Sequence, residues 1–226
     1  TADGQLLLKA GDAALARALA DELLLGGGEL EVGLRASGER LSPRSVASSI
    51  EEGQSPIGAK DVVLVSGGAR GVTAACVVHW AKECGARFVL LGRSELRDEP
   101  DICEGVTDDA GLKHVLLVES QEAGETISPA ELNSRARAVV NGREIRETLS
   151  ALREAGVDAR YRSADVKDSA AIEAVLEETR RDWGPIKGLI HGAGVLADRR
   201  LSDQGPEHFE LVFDTKIEGL RTLLKG

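Results

Sequence analysis

The chain has 226 residues, 42% of them hydrophobic and 29% charged, with a formal net charge of −10. That balance supplies a core and argues against a nucleic-acid-binding module, which carries a basic stripe. Three cysteines exclude a disulfide scaffold and fit a reducing, cytoplasmic setting, no apolar run reaches the ~18–20 residues of a membrane span, and no signal-peptide pattern opens the chain. The sequence holds no Met, only 3% aromatics and a single Tyr. It starts at Thr1 in mid-pattern, which reads as a piece of a longer polypeptide.

Residues 5–8 form a short apolar run, a candidate strand. Asp12 is placed to N-cap an Ala/Leu-rich helix over Ala13 to Leu25, ended by Gly26-Gly27-Gly28. Leu30, Val32 and Leu34 alternate with polar residues, the period of a half-buried strand, and Arg40 to Val46 returns as a second. Polar residues 48–59, with Gly and Pro, read as a linker. Residues 1–57 are therefore expected to be a separate small unit and 58–226 a second domain.

From Asp61 the texture changes. Val62-Val63-Leu64-Val65 is a continuous apolar run, as in a parallel strand covered on both faces. A Gly-rich turn and a helix from about Val72 to Cys84 follow. Arg87 to Leu91, Asp158 to Ser163 and Pro185 to His191 are three further strands; Ser169 to Trp183 and Pro206 to Leu224 are helices. This alternation predicts βαβ units and a doubly wound parallel α/β sheet. Residues 98–142 exceed what a crossover needs and read as a helical insertion, either a surface decoration or a lid or docking element. Ser128-Pro129-Ala130-Glu131 opens a helix there, and Arg143 to Ala155 is expected to be the separate crossover helix. A sheet ending at the fourth strand leaves an unpaired edge, expected to be covered by a continuation of the chain or by a second copy in a homodimer.

Ser66-Gly67-Gly68-Ala69-Arg70-Gly71-Val72-Thr73 stands between a buried strand and a helix. Glycines there let the backbone approach a pyrophosphate, which the N–H groups of the following helix hold. Sites that grip an unphosphorylated ribose place a carboxylate at the end of the second strand. Here Gly92-Arg93-Ser94 stands instead. Arg93 and Arg70 are placed to meet a 2′-phosphate, which favours NADPH over NADH; the alternative for Arg93 is a solvated surface residue. Asp165-Val166 follows the third strand and His191-Gly192-Ala193-Gly194 the fourth, so all four strand ends carry residues suited to a dinucleotide. A helix-capping role for Asp165 and a backbone-satisfied ring for His191 are the structural alternatives. The four histidines form no HExxH pair and the cysteines no CxxC spacing, so no metal site is expected.

Taken together, SGGARGVT, GRS, ADV, HGAGVLAD and VFDTK resemble a short-chain dehydrogenase/reductase. More narrowly they resemble the ketoreductase domain of type I polyketide synthases and polyunsaturated fatty acid synthases, over about Val62 to Leu224. The resemblance implies a Rossmann sheet, NADPH, and a β-ketoacyl substrate on acyl carrier protein, with neighbouring synthase domains as partners. It places Ser66, Gly67, Gly68, Arg70, Gly71 and Val72 on the pyrophosphate loop, with Thr73 replacing a glycine. Arg93 and Ser94 fall at the 2′-phosphate, Asp165 and Val166 at the adenine, and His191, Gly192, Ala193 and Gly194 at the Asn-Ala-Gly position. Asp198, in Leu196-Ala197-Asp198, matches the last Asp of a stereochemical motif and points to a 3R product. Lys216 matches the catalytic lysine. The family's Ser and Tyr belong some 25–40 residues later and have no match in these 226 residues, so this piece alone is expected to be inactive. The resemblance also makes residues 1–57 the end of a structural subdomain. The competing reading is a non-catalytic Rossmann module that binds nucleotide or only organises its neighbours.

Overall fold

A computed structural model describes residues 13–35, 37–49, 53 and 55–225. The chain divides into two compact units, Thr1–Gly53 and Gln54–Gly226. In the first, helix α1 spans Ala13–Leu25, and two short strands, β1 (Gly33–Leu34) and β2 (Arg40–Leu41), pair antiparallel. The predicted strands over 30–34 and 40–46 shrink to this one contact. Val32 and Leu34 are half-buried, but Leu30 is 101% exposed and Val46 81%, so neither predicted strand is buried along its length, and alternation alone does not hold a strand. The run at 5–8 and the cap at Asp12 lie outside the described residues.

The second unit is built on four parallel strands: β3 (Val62–Ser66), β4 (Arg87–Gly92), β5 (Ala159–Ser163) and β6 (Ile186–His191). Their order is β5-β4-β3-β6, with Val65 opposite Leu90 on one side and Ile190 on the other. Every residue of β3 is buried, because helices cover both faces. Helix α2 (Gly71–Cys84), and after it α3 (Asp109–Glu122) and α4 (Pro129–Glu154), precede β5; α5 (Ser169–Trp183) joins β5 to β6. Alternate residues serve the two faces. Val63, Val65, Phe88 and Leu90 pack with Val77 of α2 and Ile145 and Leu152 of α4. Val62, Leu64, Val89 and Leu91 pack with Ile172, Val175 and Leu176 of α5.

One predicted boundary is wrong. No break separates the insertion from the crossover at residue 142; α4 runs unbroken for 26 residues. A lone glycine costs a helix only about 1 kcal/mol, and Gly142 lies on the buried face of α4. The first half of α4 packs on α3 through a small core of Cys103, Leu112, Leu116, Ala136 and Val139. The last helix runs unbroken from Pro206 to Lys225, close to the predicted Pro206 to Leu224, with a π-turn inside it. It comprises α6 (Pro206–Phe213), a π-helical turn over Asp214–Glu218 and α7 (Gly219–Lys225).

Candidate functional site: a cleft at the strand ends

Because the strands are parallel, the loops after all four meet at one edge of the sheet. They enclose a cleft of about 210 Å3. Two of these loops are pressed together. Gly67 has φ +66°, and a methyl group there would sit 2.7 Å from Gly192 O and 2.8 Å from Ala193 N, so only glycine fits. A methyl on Gly192 would in turn stand 2.6 Å from Thr73 Oγ1. Thr73, which replaces the last glycine of the loop, thus fills the space that Gly192 leaves open.

The loop delivers the start of α2 to the cleft. Helices α3, α4 and α5 begin with side-chain caps from Asp108, Ser128 and Asp168. At the start of α2, Arg70 provides no side-chain cap and the first turn holds no acidic residue. The partial positive charge of that terminus is therefore available to an anion. Arg70 lines the cleft, and so does Arg93, across the loop after β4. The Arg93 guanidinium is exposed and makes no contact among the described residues, while its backbone carbonyl accepts a bond from Ser163 Oγ at 3.2 Å. No carboxylate replaces it at the end of β4.

The sequence reading missed the contribution of α4. Arg70 Nη1 donates to Asn141 Oδ1 and, at 3.3 Å, to Glu144 Oε2. Asn141 Nδ2 donates to Ser94 Oγ at 3.1 Å, and Thr148 Oγ1 to the Ala69 carbonyl at 2.9 Å. Tyr161 also lines the cleft and donates its hydroxyl to Ser94 O at 2.6 Å. Burial pushes the phenol pKa up, against a smaller lowering by Arg70. No motif marks Asn141 or Glu144, since they lie about 70 residues from Arg70 in the chain. The only available signal was their three-residue spacing on a helix that crosses the sheet.

At the opposite end, His191 links three elements. Its Nδ1 lies 2.6 Å from Ser66 Oγ and its Nε2 3.0 Å from the Lys216 carbonyl. A carbonyl only accepts, so Nε2 carries a proton and donates to it, and in that tautomer Nδ1 accepts from the Ser66 hydroxyl. Ser66 Oγ also accepts from Ala193 N at 3.4 Å. Lys216 lies in the π-turn, where the Gly219 N–H reaches back to Asp214 O. Its side chain is exposed and runs past Gly194, with Cε 3.6 Å from where a methyl on that glycine would be. Single π-turns of this kind recur at functional sites.

Of the residues singled out from sequence, Gly67, Arg70, Arg93 and Ser94 line the cleft, as do Asp165, Val166 and Gly192 to Gly194. The Asp165 carboxylate accepts from Lys167 N at 3.0 Å, closing its own turn. Ser66 and His191 stand behind the lining, and Gly68 packs on Val65 and Leu90. Val72 is 81% exposed and outside the cleft. Asp198 is exposed on the coil after β6 and is not brought to the lining. Among the described residues no group of three His, Cys, Asp or Glu is placed to hold a metal ion.

A parallel sheet in this order, with a glycine turn leading into an uncapped helix, defines a doubly wound Rossmann-type α/β protein. The KR domain family model matches residues 61–225, and the chain belongs to that family. It is 34% identical over 202 residues to a polyunsaturated fatty acid synthase of Thraustochytrium sp., a match covering 86% of this chain and 7% of that protein. It is 35% identical over 75 residues to the polyketide synthase PksL of Bacillus subtilis, covering 33% of this chain and 2% of the other. The chain therefore spans a small fraction of these relatives. Among solved structures, a ketoreductase domain from the bacillaene assembly line superposes with a TM-score of 0.57 at 24% identity. That match covers 94% of this chain and 40% of the other. An N-terminal ketoreductase from the macrolactin assembly line gives 0.53 at 22%, covering 83% and 28%. At these identities the two structures speak to the fold alone.

Proposed function

We propose that the cleft binds NADPH and that the chain is the cofactor-binding part of a ketoreductase. In the intact synthase it would reduce a β-ketoacyl group carried on acyl carrier protein to the β-hydroxyacyl group. The observation that carries this reading is the anion site itself: a glycine turn bearing Arg70, an uncapped helix start, and Arg93 where a carboxylate would select the unphosphorylated ribose. The cleft fits the group by this chemistry. The N–H groups at the start of α2 would hold the pyrophosphate, Arg70 and Arg93 the 2′-phosphate, and Asp165 and Val166 the adenine. When bound, the nicotinamide supplies the hydride that a ketone accepts.

Lys216 is assigned the role of a cation beside the proton donor, where a neighbouring positive charge lowers a phenol's pKa. Tyr161 is not that donor. Its hydroxyl is committed to Ser94 O, and burial moves its pKa in the wrong direction for proton donation near neutral pH. The proton is therefore assigned to a residue supplied elsewhere in the synthase. Titration with NADPH and NADH, followed by nicotinamide fluorescence, tests the reading. NADPH is expected to bind at least about tenfold more tightly, and Arg93→Ala to remove most of that difference, since charge-assisted bonds are worth about 1.5–3 kcal/mol. Equal affinities, or none, overturn it.

A further inference from the structure

Arg70 is not free to reorient at the mouth of the cleft. Both contacts from α4 go to one nitrogen, Nη1: Asn141 Oδ1 and Glu144 Oε2 accept from it. No bond engages Nε or Nη2 among the described residues, and these form the edge of a guanidinium that grips a phosphate in two-point fashion. The same Asn141 donates through Nδ2 to Ser94 Oγ, 3.1 Å away. One amide thus ties the arginine of the glycine turn to the serine that follows Arg93. Glu144 differs, because it brings a full negative charge to within 3.3 Å of Arg70. Its side chain is 48% exposed and that of Arg70 42%, so this is a solvated pair that a dianion can outbid.

We infer that α4 tunes the phosphate end of the cleft: Asn141 positions Arg70 and Ser94 for a 2′-phosphate, and Glu144 is a resident anion that competes with it. The inference rests on the NADPH reading of the cleft. The net affinity for the phosphorylated cofactor is then set by residues of the long helix, not by the glycine turn and the β4 loop alone. The preference over the unphosphorylated cofactor is set by these two residues in opposite senses: Glu144 lowers it and Asn141 raises it. Glu144 weakens only the ligand that carries charge at that position, and the Asn141 amide matters only where Arg70 is used.

Two substitutions separate these roles. Glu144→Gln keeps an oxygen for Arg70 Nη1 and removes the charge. Asn141→Ala removes the neutral anchor. Titrations of the wild-type chain and both variants with NADPH and NADH, by nicotinamide fluorescence, read the outcome. Glu144→Gln is expected to tighten NADPH by about 2- to 5-fold, the range of an exposed ion pair, with NADH unchanged. A gain of affinity cannot come from misfolding. Asn141→Ala is expected to weaken NADPH by about 3- to 10-fold and NADH by less. Wild-type chain that binds neither cofactor, or both equally, overturns the underlying 2′-phosphate reading. Wild-type preference for NADPH with Glu144→Gln at or below wild-type affinity overturns the inference alone. Equal losses for both cofactors in Asn141→Ala would make that residue merely structural.

Discussion

Gly67 offers the sharpest test of how the cleft is built. Alanine there meets two penalties. The first is conformational: φ +66° lies in the left-handed region, which costs a residue with a Cβ about 1–2 kcal/mol. The second is steric. The new methyl would lie 2.7 Å from Gly192 O and 2.8 Å from Ala193 N, both backbone atoms that cannot rotate aside. Overpacking of this kind costs about 1–3 kcal/mol more. Gly71 is the internal control, with φ +63° and nothing within 4 Å of an added methyl, so its alanine variant pays the first penalty only. At about 2–4 °C per kcal/mol for a unit of this size, Gly67→Ala should lower Tm by about 4–20 °C and Gly71→Ala by about 2–8 °C. Both tryptophans, Trp80 and Trp183, lie in the Gln54–Gly226 unit, so thermal melts followed by tryptophan fluorescence report on that unit alone. If the two variants melt together, the loops after β3 and β6 do not abut as described.

Two further outcomes follow from the packing. Arg143 holds Glu99 through Nη2 at 2.5 Å and also donates to Cys103 O at 2.7 Å and Val106 O. The bond from Arg143 keeps the Glu99 pKa below its usual value, with partial burial opposing. Its stabilisation is therefore complete above the unfolded value of about 4.3 and is lost as pH falls through the lower folded one. Urea denaturation should show Glu99→Gln less stable than wild type at pH 7, with the gap closing below about pH 4; a gap independent of pH would contradict the assignment. His191→Phe should cost about 1–3 kcal/mol, because it strands the buried Ser66 hydroxyl and removes the bond to the Lys216 carbonyl. Adding Ser66→Ala should restore part of that loss, and strictly additive losses would argue against the bond between them.

The strands of the larger unit were legible because their signal is local. A run such as Val62 to Val65 has no polar face to expose, and only a sheet covered on both sides accommodates it. The glycine turn was legible for the same reason, since a strand, a positive-φ glycine and a helix start are neighbours in the chain. The missing carboxylate after β4 needed only the order of the residues. The N-terminal strands misled, because alternation at Leu30, Val32 and Leu34 predicts a buried face that Leu30 does not have.

By itself the sequence determined the βαβ order, the two faces of the sheet and the glycine turn between β3 and α2, all of which depend on residues close together in the chain. The tertiary structure alone decided that α4 is continuous through Gly142, that Asn141 and Glu144 reach Arg70, and that Tyr161 lines the cleft. It also decided that Lys216 sits in a π-turn held by His191. The physical reason is one of range. Backbone hydrogen bonds and apolar period are set within a few residues, whereas a guanidinium, an amide and a carboxylate distant in sequence meet only where a helix happens to cross.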